Sequence, residues 1–115
     1  MLRVQNVTKN TTLVDSGRVA DNRWTRLKGL IGVKEMAAGD GLLIKPCKGV
    51  HCMFMSIPID VLYLDSNDRI IDVDESMMPN SFGKIKKDCK YVIELPAGEA
   101  QRTGTSAGDQ LQVAY

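Results

Sequence analysis

A chain of 115 residues and 12.7 kDa has room for one hydrophobic core, so a single domain spanning residues 1–115 is expected. With 43% hydrophobic and 25% charged residues, the composition is that of a folded globular protein and excludes disorder-dominated and low-complexity architectures. A formal net charge of +1, from 15 Lys and Arg against 14 Asp and Glu, leaves no overall field to draw the chain to nucleic acid or anionic lipid.

In chain order, Leu2 and Val4 alternate with Arg3 and Gln5, and Thr12 to Val14 resumes after the polar Lys9-Asn10 pair, which predicts an opening hairpin. From Asp21 the period changes. Trp24, Leu27, Leu30 and Ile31 recur at three and four residues with Arg23, Arg26 and Lys28 opposite, the stripe of an amphipathic helix capped by Asp21 or Asn22 and ended near Gly29 and Gly32. Residues 37–41 predict a turn into a short strand, Leu42-Leu43-Ile44, and a loop at residues 45–49 follows. Residues 59–65 and 69–73, joined by Ser66-Asn67-Asp68, form the clearest hairpin. Residues 75–90 contain Pro79, Asn80, Gly83 and four lysines and predict an exposed loop. Residues 91–95 predict a strand ended by Pro96, residues 97–103 one or two helical turns, and residues 109–115 a closing strand. The fold class is mainly β, a β-rich α+β domain: a small closed barrel or sandwich of about six or seven short strands with one N-terminal amphipathic helix.

The uncharged run around Val50 to Ile59 is eleven residues, far below the roughly 20 apolar residues that span a bilayer. The opening MLRVQNVTKN turns polar within five residues and carries no apolar signal region, so a cytoplasmic location is expected. Three cysteines, Cys47, Cys52 and Cys89, are an odd and sparse set, which suits reduced thiols better than a disulfide framework.

Several segments, taken together, carry a family resemblance. They are Arg26-Leu-Lys-Gly29-Leu30, Gly39-Asp-Gly41-Leu-Leu-Ile44, Pro46-Cys47, Val50-His51, Met55-Ser-Ile-Pro58-Ile59-Asp60-Val61, Tyr91-Val-Ile-Glu94-Leu95-Pro96-Ala97-Gly98 and Gly108-Asp109. In order and spacing this set resembles the small prokaryotic family known as domain of unknown function number 192, over roughly residues 20 to 113. The resemblance implies a compact β-rich fold with an N-terminal helix, and it implies no agreed activity, ligand or catalytic residue.

The densest constellation runs from Pro46 to Met55 and holds two thiols, Cys47 and Cys52, the imidazole of His51, and the thioethers of Met53 and Met55. Such soft donors suit Cu(I), or Zn²⁺ through Cys47, His51 and Cys52 with a fourth ligand such as Cys89 or Asp60. The spacing matches no standard zinc pattern, and in an extended segment His51, Met53 and Met55 point away from Cys52, so core filling is the simpler reading and no metal or other cofactor is expected. His51 with Asp60 is a candidate base with its orienting carboxylate. The simpler role for Asp60, just after Pro58, is to accept backbone N–H bonds. Glu94 lies between Ile93 and Leu95 on the opposite strand face; it can face solvent, pair with Arg26, or line a pocket. Lys84, Lys86, Lys87 and Lys90 form the one basic cluster, but too few aromatics accompany it for nucleic-acid binding.

These readings converge on a binding module with a shallow loop site near His51 to Asp60, for a small molecule or a protein segment, with Arg26, His51, Met55, Asp60 and Glu94 as candidate contacts. The chain is expected to work as a monomer or weak homodimer without nucleic acid or membrane. Two other classes stay open. One is a small hydrolase-like enzyme with His51 as base and Asp60 orienting it; the other is a soft-metal protein using Cys47, His51 and Cys52.

Overall fold

The computed structural model describes residues 1–20, 36–48, 57–78 and 85–115. Seven strands and one short helix are described: β1 Leu2–Asn6, β2 Thr11–Ala20, β3 Leu42–Ile44, β4 Ile59–Leu64, β5 Ile70–Met77, β6 Tyr91–Pro96, helix α1 Glu99–Thr103 and β7 Leu111–Ala114. The expected N-terminal helix, with Arg26, lies outside the described residues. All seven strands join one sheet in the order β5-β4-β6-β3-β2-β1-β7, antiparallel except for the β2–β3 pair. The sheet curls into a half-barrel, and the residues just before its two outer strands meet in an Arg69–Gln110 bridge, with the Ile70 amide donating to the Asp109 carbonyl at 2.9 Å.

Local patterning explains the hairpins. β1 buries Leu2, Val4 and Asn6 and exposes Arg3 and Gln5, the period-two alternation of a strand with one wet face. Asn10 and Asp68 adopt positive φ in the two tight connections, the conformation that Asn and Asp tolerate best among residues with a side chain. β4 and β6 behave differently, because they are interior strands paired on both edges and are buried along almost their whole length on both faces. β5 also runs on through Glu75 to Met77, where the composition had predicted the start of a loop; Ser76 at φ 50 and a register shift against β4 accommodate the polar residues.

Two apolar clusters result, one on each face. The face on which β1 and β7 meet β4 and β6 is the concave one, holding Leu2, Val4, Leu62, Leu64, Ile93 and Leu111. The convex face carries Leu42, Ile44, Val61, Tyr63 and Val92 together with Cys47 and Cys89.

Close packing between β2 and the start of β3 depends on two glycines. A Cβ on Gly17 would lie 2.6 Å from Cγ1 of Val14 and 2.7 Å from the Gly41 carbonyl oxygen. The backbone oxygen cannot step aside, so Gly17→Ala is expected to lower unfolding stability by about 1–3 kcal/mol. Chemical denaturation followed by circular dichroism checks this, and a loss within experimental error would show that β2 and β3 can separate at no cost.

Candidate functional site

Asp60 is fully buried, and its carboxylate is saturated by backbone donors. The Ser76 amide donates to Oδ1 at 2.8 Å, and the Gly98 and Ala100 amides donate to Oδ2 at 3.1 and 2.8 Å. Gly98, at φ 94, is the N-cap of α1 and offers no side chain, so Asp60 performs the capping from a distant strand. One carboxylate thereby fastens the end of β5 and the start of α1 to the middle of the sheet.

Glu94 is buried as deeply, with the opposite outcome. It is 0% exposed, and neither carboxylate oxygen has a hydrogen-bond partner among the described residues. β6 places it directly opposite Val61 of β4 and Leu42 of β3, and Leu42 in turn stands beside Arg18 of β2, so one row crosses the convex face from Val61 through Glu94 and Leu42 to Arg18. Burial pushes the Glu94 carboxyl up to about 8, and the Arg18 guanidinium opposes this only in part. A depression of about 240 Å³ bordered by Ser16, Arg18, Met36, Asp40 and Gly41 lies at the Arg18 end of the row.

The sheet separates the two carboxylates. Asp60 pairs with Leu95 and Glu94 pairs with Val61, so alternation along β4 and β6 turns Asp60 to the concave face and Glu94 to the convex one. Of the other candidates, His51, Cys52, Met55 and Arg26 lie outside the described residues. Cys47 and Cys89 are buried together on the convex face, where the Cys89 Sγ lies 3.3 Å from the Cys47 carbonyl and 3.2 Å from that of Tyr91. Among the described residues no three His, Cys, Asp or Glu side chains gather into a set that could hold a metal ion. Among them, too, no helix is long and apolar enough to cross a membrane.

Two further polar clusters were not picked out by sequence reasoning. In the first, Asn6 donates to Asp109 Oδ2 at 2.9 Å and to Thr105 Oγ1 at 3.1 Å, and Lys9 forms an ion pair with Asp109 at 3.0 Å. Burial would raise the Asp109 carboxyl, but Asn6, the Ser106 amide and Lys9 more than offset it and hold it below the usual carboxylate range. This cluster ties the β1–β2 turn to the loop before β7. The second lines a cleft of about 520 Å³ on the concave face, bordered by Leu43, Lys45, Ser66, Asp68, Tyr91 and the end of β7. There the Tyr91 hydroxyl donates to Asp68 Oδ1 at 2.5 Å, and the Lys45 ammonium stands 4.6 Å from the centre of the Tyr115 ring. Burial first, then the hydrogen bond to Asp68, hold the Tyr91 phenol protonated far above its ordinary range. The sequence marked the strands and the Ser66 to Asp68 turn that border this cleft, but nothing in it singled out Lys45, Asp68 and Tyr91 as a group.

Residues 4–113 match the sequence profile of the family DUF192, described as "Uncharacterized ACR". The chain is 31% identical over 112 residues to a UPF0127 protein of Pyrococcus furiosus, covering 93% of this chain and 94% of that protein. It is 30% identical over 112 residues to one of Pyrococcus horikoshii, covering 95% and 96% of the two chains. Among solved structures, one from Sinorhizobium meliloti 1021, described as a candidate transcription regulator, is similar with a TM-score of 0.74 and 27% identity over 97% of this chain and 91% of that chain. A protein of unknown function from Novosphingobium aromaticivorans shares the fold with a TM-score of 0.74 at 18% identity, over 96% of this chain and 82% of that one.

Proposed function

This chain belongs to the DUF192 family, whose shared fold leaves its chemistry open, and we propose that it is a small-molecule binding module in which the Glu94 carboxyl is the recognising group. One observation carries this reading: a carboxyl with 0% exposure has both oxygens unpartnered among the described residues. Burying a polar group without a partner costs about 1–3 kcal/mol, so its presence is understandable where a ligand completes the hydrogen bonds. The near neighbour Asp60, whose three bonds are all made internally, shows how the same fold satisfies a carboxylate that has a structural task.

With its acid pushed up to about 8, Glu94 is mostly protonated at neutral pH and offers one donor and one acceptor side by side. The matching ligand is a small neutral molecule that presents an adjacent acceptor and donor, as a primary amide or urea does. A neutral partner also avoids bringing a net charge into an apolar face. The setting we propose is cytoplasmic, with the protein as a monomer or weak homodimer and no nucleic-acid or membrane partner. Net charge of +1 offers little to a nucleic-acid role of the kind the Sinorhizobium description suggests.

Native mass spectrometry of freshly purified protein, followed by calorimetric titration with small amides and ureas, tests the assignment. Wild type should bind a member of that series, and Glu94→Leu should weaken binding by at least about tenfold, the loss of one buried hydrogen-bonded pair. Equal binding by both proteins, or binding by neither, removes Glu94 as the recognising group. A second reading, a proton-transferring enzyme, is favoured by the same raised acid, since a carboxyl near 8 suits general acid–base work at neutral pH. It would show turnover of the bound compound with a pH profile that Glu94→Gln abolishes.

A further inference from the structure

The concave cleft has features that no structural task uses. Its volume of about 520 Å³ falls in the range of small-molecule sites, and Leu43, Tyr91 and Val113 continue the concave apolar cluster into its floor. Lys45 is half-buried at its rim. Lys9 and Lys86 each have a carboxylate at 3.0 Å, whereas Lys45 has none within ion-pairing distance among the described residues; the face of the Tyr115 ring is what steadies its ammonium.

We infer that this cleft binds a small amphipathic monoanion, with Lys45 taking the anionic group and Leu43 and Val113 taking the apolar part. The ring contact orients the ammonium but does not neutralise it, so an anion seated there gains a charge-assisted bond in a partly dry setting. Asp68 limits the ligand to a single negative charge. Its carboxylate lies beside Tyr91 and is held by the Tyr91 hydroxyl at 2.5 Å, so a second anionic group reaching toward Tyr91 meets like charge. The same pair leaves the phenol no proton to offer a second acceptor, which places the ligand's headgroup at Lys45 alone.

This site is independent of Glu94. Leu43 and Tyr91 face the concave cluster, whereas Glu94 lies in the row across the convex face, so failure of either assignment leaves the other standing.

Isothermal titration with hexanoate tests the inference, with hexanamide as the uncharged isostere and succinate as the dianion. Wild type should bind hexanoate more tightly than either control by about tenfold or more, and Lys45→Met should lose at least about tenfold in affinity while Lys45→Arg stays within about threefold. Circular dichroism of each variant confirms that the fold is retained. Hexanoate binding equal to that of hexanamide, unchanged affinity in Lys45→Met, or no hexanoate binding up to about 20 mM would each overturn the assignment.

Discussion

Replacing Asp60 by alanine is expected to lower unfolding stability by about 3–5 kcal/mol, enough to cost on the order of 10–25 °C in melting temperature for a domain of this size. Three amides lose their acceptor at once, those of Ser76, Gly98 and Ala100, around a carboxylate that is itself fully buried. An orphaned buried donor such as the Ala100 amide costs about 1–3 kcal/mol, the part-buried Ser76 and Gly98 amides add less each, and the bonds lost are to a charged acceptor and so stronger than average. The helix start suffers as well, since the N-cap Gly98 has no side chain with which to replace the lost oxygen. Asp60→Asn keeps one acceptor oxygen and turns an amide nitrogen toward the remaining donors, so it should recover only part of the loss. Urea unfolding of the three proteins measures this directly. A loss below about 1 kcal/mol in Asp60→Ala would mean that the three amides find other partners and that the carboxylate is available for a different role.

Glu94→Leu should have the opposite sign. Removing a carboxyl that has 0% exposure and no partner among the described residues relieves a burial penalty, so the variant is expected to be more stable than wild type by about 1–3 kcal/mol at neutral pH. The pH dependence supplies a second signature. The Glu94 carboxyl rises from an ordinary 4.5 to about 8 on folding, so between those values the folded protein holds a proton that the unfolded chain has released. More protons bound to the native state make stability fall as pH rises. Wild type should therefore lose stability from about pH 4.5 to about 8, with a limiting slope near 1.4 kcal/mol per pH unit, and level off above; the variant should be flat across that window. Asp109 does not confuse the measurement. Its carboxyl is held below the usual range, so its contribution is complete above the unfolded value and is lost only as pH falls through the lower folded one, on the acid side of the window. A destabilised Glu94→Leu protein, or a wild-type curve with no slope above pH 5, would show that the carboxyl is satisfied in solution and would withdraw the main support for the binding assignment.

The same two residues separate what was legible along the chain from what was not. That Asp60 would serve backbone amides could be expected from the Pro58-Ile-Asp60 context, because short acidic side chains commonly do so near turns. Which amides could not be foreseen: they come from 16, 38 and 40 residues further along the chain, brought to one place by the pairing of β4 with both β5 and β6. For Glu94, alternation correctly placed it on the face away from Ile93 and Leu95. Burial was a different matter, since it follows from the interior position of β6 between β4 and β3 and not from the strand's own pattern. Arg18, the charge that acts on Glu94, belongs to the second strand and is set beside it only by the intervening β3.

Strand positions, turns and the closing helical turn could be read from residue order because each depends on neighbours a few positions apart: side-chain alternation, the φ that Asn10, Asp68 or Gly98 tolerates, and the stop that proline imposes. The family pattern was legible for the same reason, as an ordered set of short local segments. The strand order, the curl into a half-barrel and the division of Asp60 and Glu94 between two faces rest on pairings between strands far apart in the chain, for which many registers satisfy the local pattern equally well. Charge behaviour follows the same line. Composition sets the near-neutral balance, but whether a carboxyl is held by three amides or has no partner among the described residues depends on what the completed sheet packs around it, because desolvation and hydrogen bonding act through space and not along the chain.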